Sequence, residues 1–540
     1  MSSERKWARL SGVCLVASLV SLSACTRGAT EFITAAKEGK TDVVRAQLAD
    51  GRSADTAESS GYTALMRAAE WGRLDIVQLL IESGANVNHK ARDNGSPLTL
   101  AGRKDRGDVV RLLLDKGAVV HDKIGAADVF LILRSMRNDT TTIAHLIRVG
   151  AAVDARDAEK QIPLMDKTNG GYAAAVSLLL DSGAEVDAVD TLGRSALHRV
   201  RNRADIATLL LKAGATIDKR DKLGFTPLLI AAQRGYAATT RRLLAAGAEP
   251  GVVDVRGESV LHKSVNNSDV LREVLHSGPP PLDVKDASGM TPLMIAAWHG
   301  HVDAVEQLLA AGSAINDLSA EGESALTLAA RRGHAEIVAL VTAAGADIEL
   351  LNRHGESALW LGAPHAAVVT ELLAAGANSH TTTEDGTTAL MRAIQADAPA
   401  AVRRLLEAGA DPRLVDVRGR TPLHQARSGE LSQLLLAAGA EANATDAAGR
   451  TPLLERASWG EAESVELLLA ARADPEIDDI RGRTPLMEAA RRGHRSVIGL
   501  LLAAGARRTA TDATGLTAVD HAQSGGHVGV VDLLQDVPFP

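Results

Sequence analysis

One short pattern returns along almost the whole chain and leaves it few ways to fold. Gly289-Met290-Thr291-Pro292-Leu293, Gly419-Arg420-Thr421-Pro422-Leu423, Gly449-Arg450-Thr451-Pro452-Leu453 and Gly482-Arg483-Thr484-Pro485-Leu486 are each followed about twenty residues later by Gly-Ala or a variant of it. Alignment gives fifteen equivalent positions: Gly61, Asn94, Ala127, Lys160, Gly193, Gly224, Gly257, Gly289, Gly322, Gly355, Gly386, Gly419, Gly449, Gly482 and Gly515. The first and last lie 454 residues apart over fourteen intervals, a mean near 32. Such a period marks a repeat array, in which each unit is too small to bury its own apolar face and must stack on its neighbours. Composition agrees: 46% of residues are apolar but only 2% aromatic, so the core is built from Leu, Ala, Val and Ile. That suits stacked small helices and suits a β-sandwich or barrel poorly.

Each motif position has a physical task. The repeated Gly supplies a positive φ at a turn, where Asn94 is the best non-glycine substitute. Thr caps a first helix, and Pro occupies its first turn, where a missing N–H costs nothing. Gly300, Gly333 and Gly493 separate the first helix from a second. In the second, Val305, Leu308 and Leu309 form one apolar stripe, and Gly312, Gly345 and Gly505 close it as C-cap residues. From about Glu31 onward the chain thus resembles ankyrin-repeat proteins, with Thr421-Pro422-Leu423-His424 giving the full signature once. The resemblance implies an all-α solenoid of about 15 repeats, each a helix-turn-helix with a β-hairpin connection, plus an N-terminal capping helix pair.

Departures from the pattern divide the chain. Residues 31–57 carry Ala35, Ala36, Gly39, Val43, Val44 and Leu48 at repeat spacing without a Thr-Pro start, as an N-terminal cap would. Repeats fill 58–511, and 512–540 read as a C-terminal cap. Over 125–190 the motif is worn: Val129 stands for Thr, and Asn138-Asp139-Thr140 takes the inter-helix turn. The repeats at Gly193, Gly257, Gly355 and Gly419 are two or three residues short between the capping Ser or Thr and the terminal Gly. Shortening there should dent the face that the first helix lines. Pro279, Pro280 and Pro281 replace one connection between repeats.

Residues 1–24 read as a secretory signal: Arg5, Lys6 and Arg9, the apolar run Leu10 to Leu22, then small residues before Cys25. About thirteen apolar residues span roughly 20 Å, short of the roughly 30 Å hydrocarbon core. Leu22-Ser23-Ala24-Cys25 resembles the bacterial lipobox, which implies cleavage between Ala24 and Cys25 and acylation of Cys25. Thr26 stands where an Asp would signal inner-membrane retention, so the resemblance points to the outer membrane, facing the periplasm. Residues 25–30 would then be a short lipidated tether, and several acyl chains on Cys25 would hold the protein without a spanning helix. Cys14 and Cys25 are the only cysteines, so neither a disulfide framework nor a thiolate cluster supports the rest.

The charge of -8, falling to -10 after leader removal, argues against nucleic acid as partner. No G-x-S-x-G elbow, H-E-x-x-H, Walker loop or dinucleotide fingerprint occurs, so neither an enzyme activity, a cofactor nor a small-molecule substrate is expected. His198, His262 and His424 occupy the last place of Thr-Pro-Leu-His-like segments, and His301, His334, His494 and His527 follow the inter-helix Gly. These are scaffold positions. The carboxylates at Asp221, Asp254, Asp286, Asp416, Asp446, Asp479 and Asp512 recur as regularly and read the same way, leaving no metal site.

The places that vary are the hairpin tip and the two residues before the inter-helix Gly, which in the family line the concave, partner-contacting surface. Trp71, Trp298 and Trp459 fall in that pair, His299 beside them, with Tyr62 and Phe225 at tips. Each Trp is either an interface anchor or packing for a neighbouring repeat. Arg331, Arg332, Arg491 and Arg492 in the helix pairs and Arg418, Arg420, Arg450, Arg481 and Arg483 at tips form a basic stripe, unless the adjacent Asp residues neutralise them. The expected function is a membrane-tethered, non-enzymatic scaffold that binds protein on this face. Family analogy suggests two sharper forms: an immunity factor that sequesters a toxic envelope enzyme, or a maturation factor for a periplasmic enzyme such as a catalase.

Overall fold

A computed structural model describes residues 28–120, 126–148, 150–278 and 280–535; Ala24, Cys25 and Pro279 lie outside them. Among the described residues the regular structure is helical, apart from isolated antiparallel bridges joining Ala57 to Thr63 and Thr382 to Thr388. None of these helices is long and apolar enough to cross a membrane. The chain divides into two compact units that part between Val255 and Arg256, with His276–Gly278 belonging to the first.

The repeat at Gly482 shows how the motif works. Thr484 accepts a hydrogen bond from the Met487 amide and caps a first helix over Pro485–Arg492. Gly493, at φ +79°, turns the chain into a second helix over Arg495–Ala503. Leu486, Met487, Ala489 and Ala490 on the first helix and Val497, Ile498 and Leu501 on the second are buried, the three-to-four spacing of an inward face. Their small size lets neighbouring pairs approach closely.

Hairpins carry the second set of contacts. Asp479 Oδ1 accepts the amides of Arg481 and Arg483 at 2.9 and 3.0 Å, which fixes the tight turn, and Ala513 N–H donates to Arg481 C=O at 2.9 Å. The same rung joins Val255 to Leu223 and Lys222 to Leu192 in the first unit, and Ile480 to Ala448 and Val417 to Asp385 in the second. Glycine is needed at this tip twice over: Gly482 has φ +72°, and a Cβ there would lie 2.8 Å from the Ala513 amide nitrogen. In the loops that follow the second helices, Asn316, Asn443 and Asp187 accept the amides of Asp347, Asp474 and Thr216 in the following repeat.

A helix pair over 28–38 and Thr41–Ala49 opens the described chain, and Ala518–Ser524 with Val528–Gln535 closes it. The worn repeat keeps its pair, Ala126–Ser135 and Thr140–Arg148, with Asp139 accepting the Thr142 amide and hydroxyl at the second helix. Ile162 then leaves the helix at Pro163–Gly170 without a side-chain cap. On that helix the fully buried Lys167 donates to Arg134 C=O at 2.9 Å, and burial pushes its ammonium down to about 8 against the pull of Asp166.

All four short repeats have truncated first helices: a single 3-10 turn at Leu197–Arg199, five residues at Val260–Ser264 and at Ala358–Gly362, and four at Pro422–Gln425. Each carries a ring N–H donor three residues after its Ser or Thr at the start of the first helix. His198, His262 and His424 donate from Nε2 to the carbonyls of Phe225, Met290 and Arg450, and Trp360 Nε1 donates to Thr387 Oγ1. The acceptor is always the residue before the next repeat's capping Thr. Full-length repeats hold Met, Thr, Leu or Asp at the donor position, as at Met294, Thr327, Leu454 and Asp520. The ring therefore replaces contacts that the missing helical turn would have made.

The tautomer of the three histidines follows from their partners. Nδ1 accepts the amide of Ser195, Ser259 or Thr421, so the proton resides on Nε2. Burial lowers all three pKa values, against the hydrogen bonds to backbone carbonyls. In the unfolded chain they titrate near about 6.5, so below that pH the unfolded state takes up protons that the folded state refuses, and stability falls. Between about pH 7.5 and 5.5 the urea midpoint should therefore drop. His424→Met should cost about 1–3 kcal/mol at neutral pH, by orphaning the Arg450 carbonyl, and should shrink the acid-induced drop. A midpoint independent of pH in wild type would contradict this assignment.

Candidate functional site

Truncation leaves two indentations where first helices are shortest. In the first unit, beside Leu197–Arg199, a cleft of about 290 Å³ is lined by Arg194, Arg199, Arg201, Arg234, His198 and Tyr236 among others. In the second, beside Pro422–Gln425, a cleft of about 640 Å³ runs from Arg420 and Arg450 below the hairpin tips to Arg427, Trp459 and Arg492 near the inter-helix turns. Of the four short repeats expected to dent the face, at Gly193, Gly257, Gly355 and Gly419, those at Gly193 and Gly419 have these clefts beside them. Arg456 forms part of the second cleft's wall. Its buried guanidinium donates to Glu461 and to the His424 carbonyl, both at 2.8 Å, and so ties the truncated repeat to the next.

The tryptophans separate into two kinds. Trp298 is half-buried beneath Arg332, whose guanidinium carbon sits 3.7 Å from the ring centroid. Trp459 is 60% exposed with Arg492 at 5.2 Å, and Trp71 is 45% exposed with Lys37 at 5.0 Å. Exposure thus makes Trp459, and not the mid-chain Trp298, the better anchor. His299 is exposed and stacks on His301 at 5.8 Å. Tyr62 is held in place, its hydroxyl donating to Asp93 at 2.6 Å and its ring lying 4.1 Å from Arg67. The Phe225 carbonyl receives the His198 ring, and its side chain lines the first cleft.

Most of the arginine stripe is spoken for within the fold, which corrects the view of it as a uniform basic surface. Arg420, Arg450 and Arg483 reach back four residues to Asp416, Asp446 and Asp479 at 2.8, 2.9 and 2.6 Å. Arg450 and Arg483 also pair with Glu455 and Glu488, Arg491 pairs with Glu488 at 2.7 Å, and Arg331 with Glu323 and Glu356. The cause is the hairpin geometry: one Asp oxygen accepts the turn amides, and the other faces the residue after the Gly. Among the described residues, four members of the stripe have no carboxylate partner. Arg418 and Arg481 are exposed at tips beside Val417 and Ile480, which are 70% and 76% exposed, and Arg332 and Arg492 lie over tryptophans.

Sequence reasoning missed Arg194, Arg199, Arg201 and Arg234 of the first cleft and Arg427 and Arg456 of the second. The alternation Arg199, Arg201, Arg203 next to a short repeat was the available signal. Histidines and carboxylates do not converge: among the described residues no group of three could hold a metal ion.

A family model described as ankyrin repeats (three copies) matches residues 12–91, 32–124, 131–221, 228–318, 300–367, 362–446, 426–512 and 453–537. Over 88 residues the chain is 40% identical to neurogenic locus notch homolog protein 4 of Homo sapiens, a match covering 16% of this chain and 4% of that protein. It is 36% identical over 89 residues to palmitoyltransferase AKR1 of Lachancea kluyveri, 16% of this chain and 12% of that one. Ankyrin repeat domain-containing protein 29 of Homo sapiens is 42% identical over 50 residues, 9% and 17% of the two chains. The chain therefore spans less than a fifth of the length of each of these relatives. Among solved structures, the ankyrin repeat domain of Bcl-3 aligns with 32% identity and a TM-score of 0.36, over 40% of this chain and 99% of that one. With its family model matched over nearly its whole length and its helix pairs, caps and hairpin rungs in place, the chain belongs to the ankyrin-repeat family, a fold that serves as a protein–protein interaction scaffold.

Proposed function

We propose that this protein is a lipid-anchored scaffold of the bacterial cell envelope that holds a partner protein on the face formed by hairpin tips and first helices. The observation that carries the reading is the second-unit patch of Val417, Ile480 and Trp459 with Arg418, Arg481 and Arg492. These side chains are exposed, and among the described residues no carboxylate engages the three arginines. Exposed Trp and Arg are the residue types that most often anchor interfaces, and a stable scaffold gains little by leaving them in water. The tether rests on the lipobox resemblance at Leu22 to Cys25.

Two single substitutions test the face. Trp459→Ala should leave the thermal midpoint nearly unchanged and weaken capture of the partner from detergent-solubilised membranes about thirtyfold, the cost of a hot spot of about 2 kcal/mol. Trp298→Ala should instead destabilise the fold by about 2 kcal/mol, because it empties a half-buried site. A Trp459→Ala protein that captures as wild type removes this patch from the interface. The captured protein decides the sharper role: a toxic envelope enzyme supports an immunity factor, and a housekeeping enzyme such as a catalase supports a maturation factor. The anchor has its own test. Cys25→Ala should abolish incorporation of labelled fatty acid and release the protein from the membrane fraction, and label retained on the variant would refute the lipobox.

A further inference from the structure

The cleft beside Leu197–Arg199 carries a recognition element of its own. Four arginines line it, and no aspartate or glutamate does. Two are braced from behind: Arg194 pairs with Asp221 at 3.1 Å, and Arg199 with Asp190 at 2.6 Å. Both aspartates are buried and already accept turn amides, Asp190 from Leu192 and Arg194, and Asp221 from Leu223 and Phe225. They hold Arg194 and Arg199 in fixed positions. Arg201 and Arg234 are exposed, and their side chains have no hydrogen-bond or carboxylate partner among the described residues. Arg234 ends the Pro227–Gln233 helix through its backbone alone, and neither side chain completes a rung, so their charges stand beside the braced pair without offset from the fold. Such a cluster is complementary to an oxyanion, and a guanidinium engages a carboxylate through paired, charge-assisted hydrogen bonds.

Three consecutive tips at and beside the cleft add a second requirement. Leu192, Leu223 and Val255 are each more than half exposed and are tied in register by the rungs from Lys222 to Leu192 and from Val255 to Leu223. Arg194 and Phe225, which line the cleft, follow two of these tips by two residues. A small anion would use the arginines and ignore this apolar row. A peptide segment with carboxylates flanked by apolar side chains would use both.

We propose that the first unit binds an acidic–apolar peptide segment of a protein partner, its Asp or Glu carboxylates seated against Arg201 and Arg234 in the cleft and its apolar side chains against Leu192, Leu223 and Val255. The inference extends the scaffold reading to a second patch and specifies the chemistry of what docks there.

Random dodecapeptides displayed on phage and selected on the purified full chain provide the test, followed by fluorescence anisotropy with the selected peptides. The expected selection contains a class with Asp or Glu flanked by Leu, Ile, Val or Phe. Arg201→Gln with Arg234→Gln should weaken that class at least about tenfold and reduce its salt sensitivity. Both positions are exposed, so folding should be retained, and circular dichroism checks it. Trp459→Ala should leave this class unaffected, which separates failure here from failure of the patch in the second unit. The proposal is overturned if no acidic class emerges, if that class binds the double variant as it binds wild type, if Trp459→Ala removes it, or if phosphate or acetate binds the cleft while no peptide does.

Discussion

The structure depends on one recurring hydrogen bond, in which the amide near the tip of most described hairpins donates to the carbonyl of the hairpin before it. That rung fixes the register between repeats, and the helix pairs can then bury their stripes of Leu, Ala and Val against one another. An aspartate or asparagine at the start of most hairpins makes the rung possible, because its carboxylate or amide oxygen satisfies two turn amides that no strand pairs. The glycine at the tip is required by the positive φ and by the approach of the next backbone. A core with so few aromatic residues is sufficient because each interface is small and the array sums many of them.

Against this regular background the short repeats stand out as local exchanges of packing for surface. Losing the end of a first helix removes apolar contact with the next repeat, and a ring N–H from His198, His262, Trp360 or His424 restores a directed link. The space that remains at Leu197–Arg199 and Pro422–Gln425 is lined by arginine. Buried aspartates then hold some guanidiniums and leave others free, so that a face which is arginine-rich in sequence presents only a few unengaged charges. Specific recognition uses such a sparse set better than a uniform basic stripe, which would attract any polyanion.

Much of this was legible in the sequence. The period gave the stacking, Thr-Pro and the glycines gave the helix boundaries, and the two-or-three-residue deficits marked four repeats, two of which, at Gly193 and Gly419, have the clefts beside them. The distinction between Trp298 and Trp459 lay in a one-residue offset within the pair before the inter-helix Gly: Trp298 stands two residues before Gly300, whereas Trp459, like Trp71, stands directly before its glycine, and the residue next to the glycine is the exposed one. The pairing of Arg420, Arg450 and Arg483 was written in their four-residue spacing from Asp416, Asp446 and Asp479. That spacing identifies a pair only once the turn is known to aim the second carboxylate oxygen at the residue after the glycine. The ring donors were visible as residue types, but their link to helix length emerges only from the carbonyl each one reaches.

Shortened first helices create the binding surface of this chain. Rebuilding a missing turn, by replacing the truncated segment of the Gly419 repeat with the corresponding full-length segment of the Gly449 repeat, and then measuring partner capture tests this dependence. The filled protein should fold with unchanged or higher stability, keep its exposed tips and lose capture of its partner. Undiminished capture by a correctly folded, filled protein would show that the clefts are incidental and that the tips alone carry recognition.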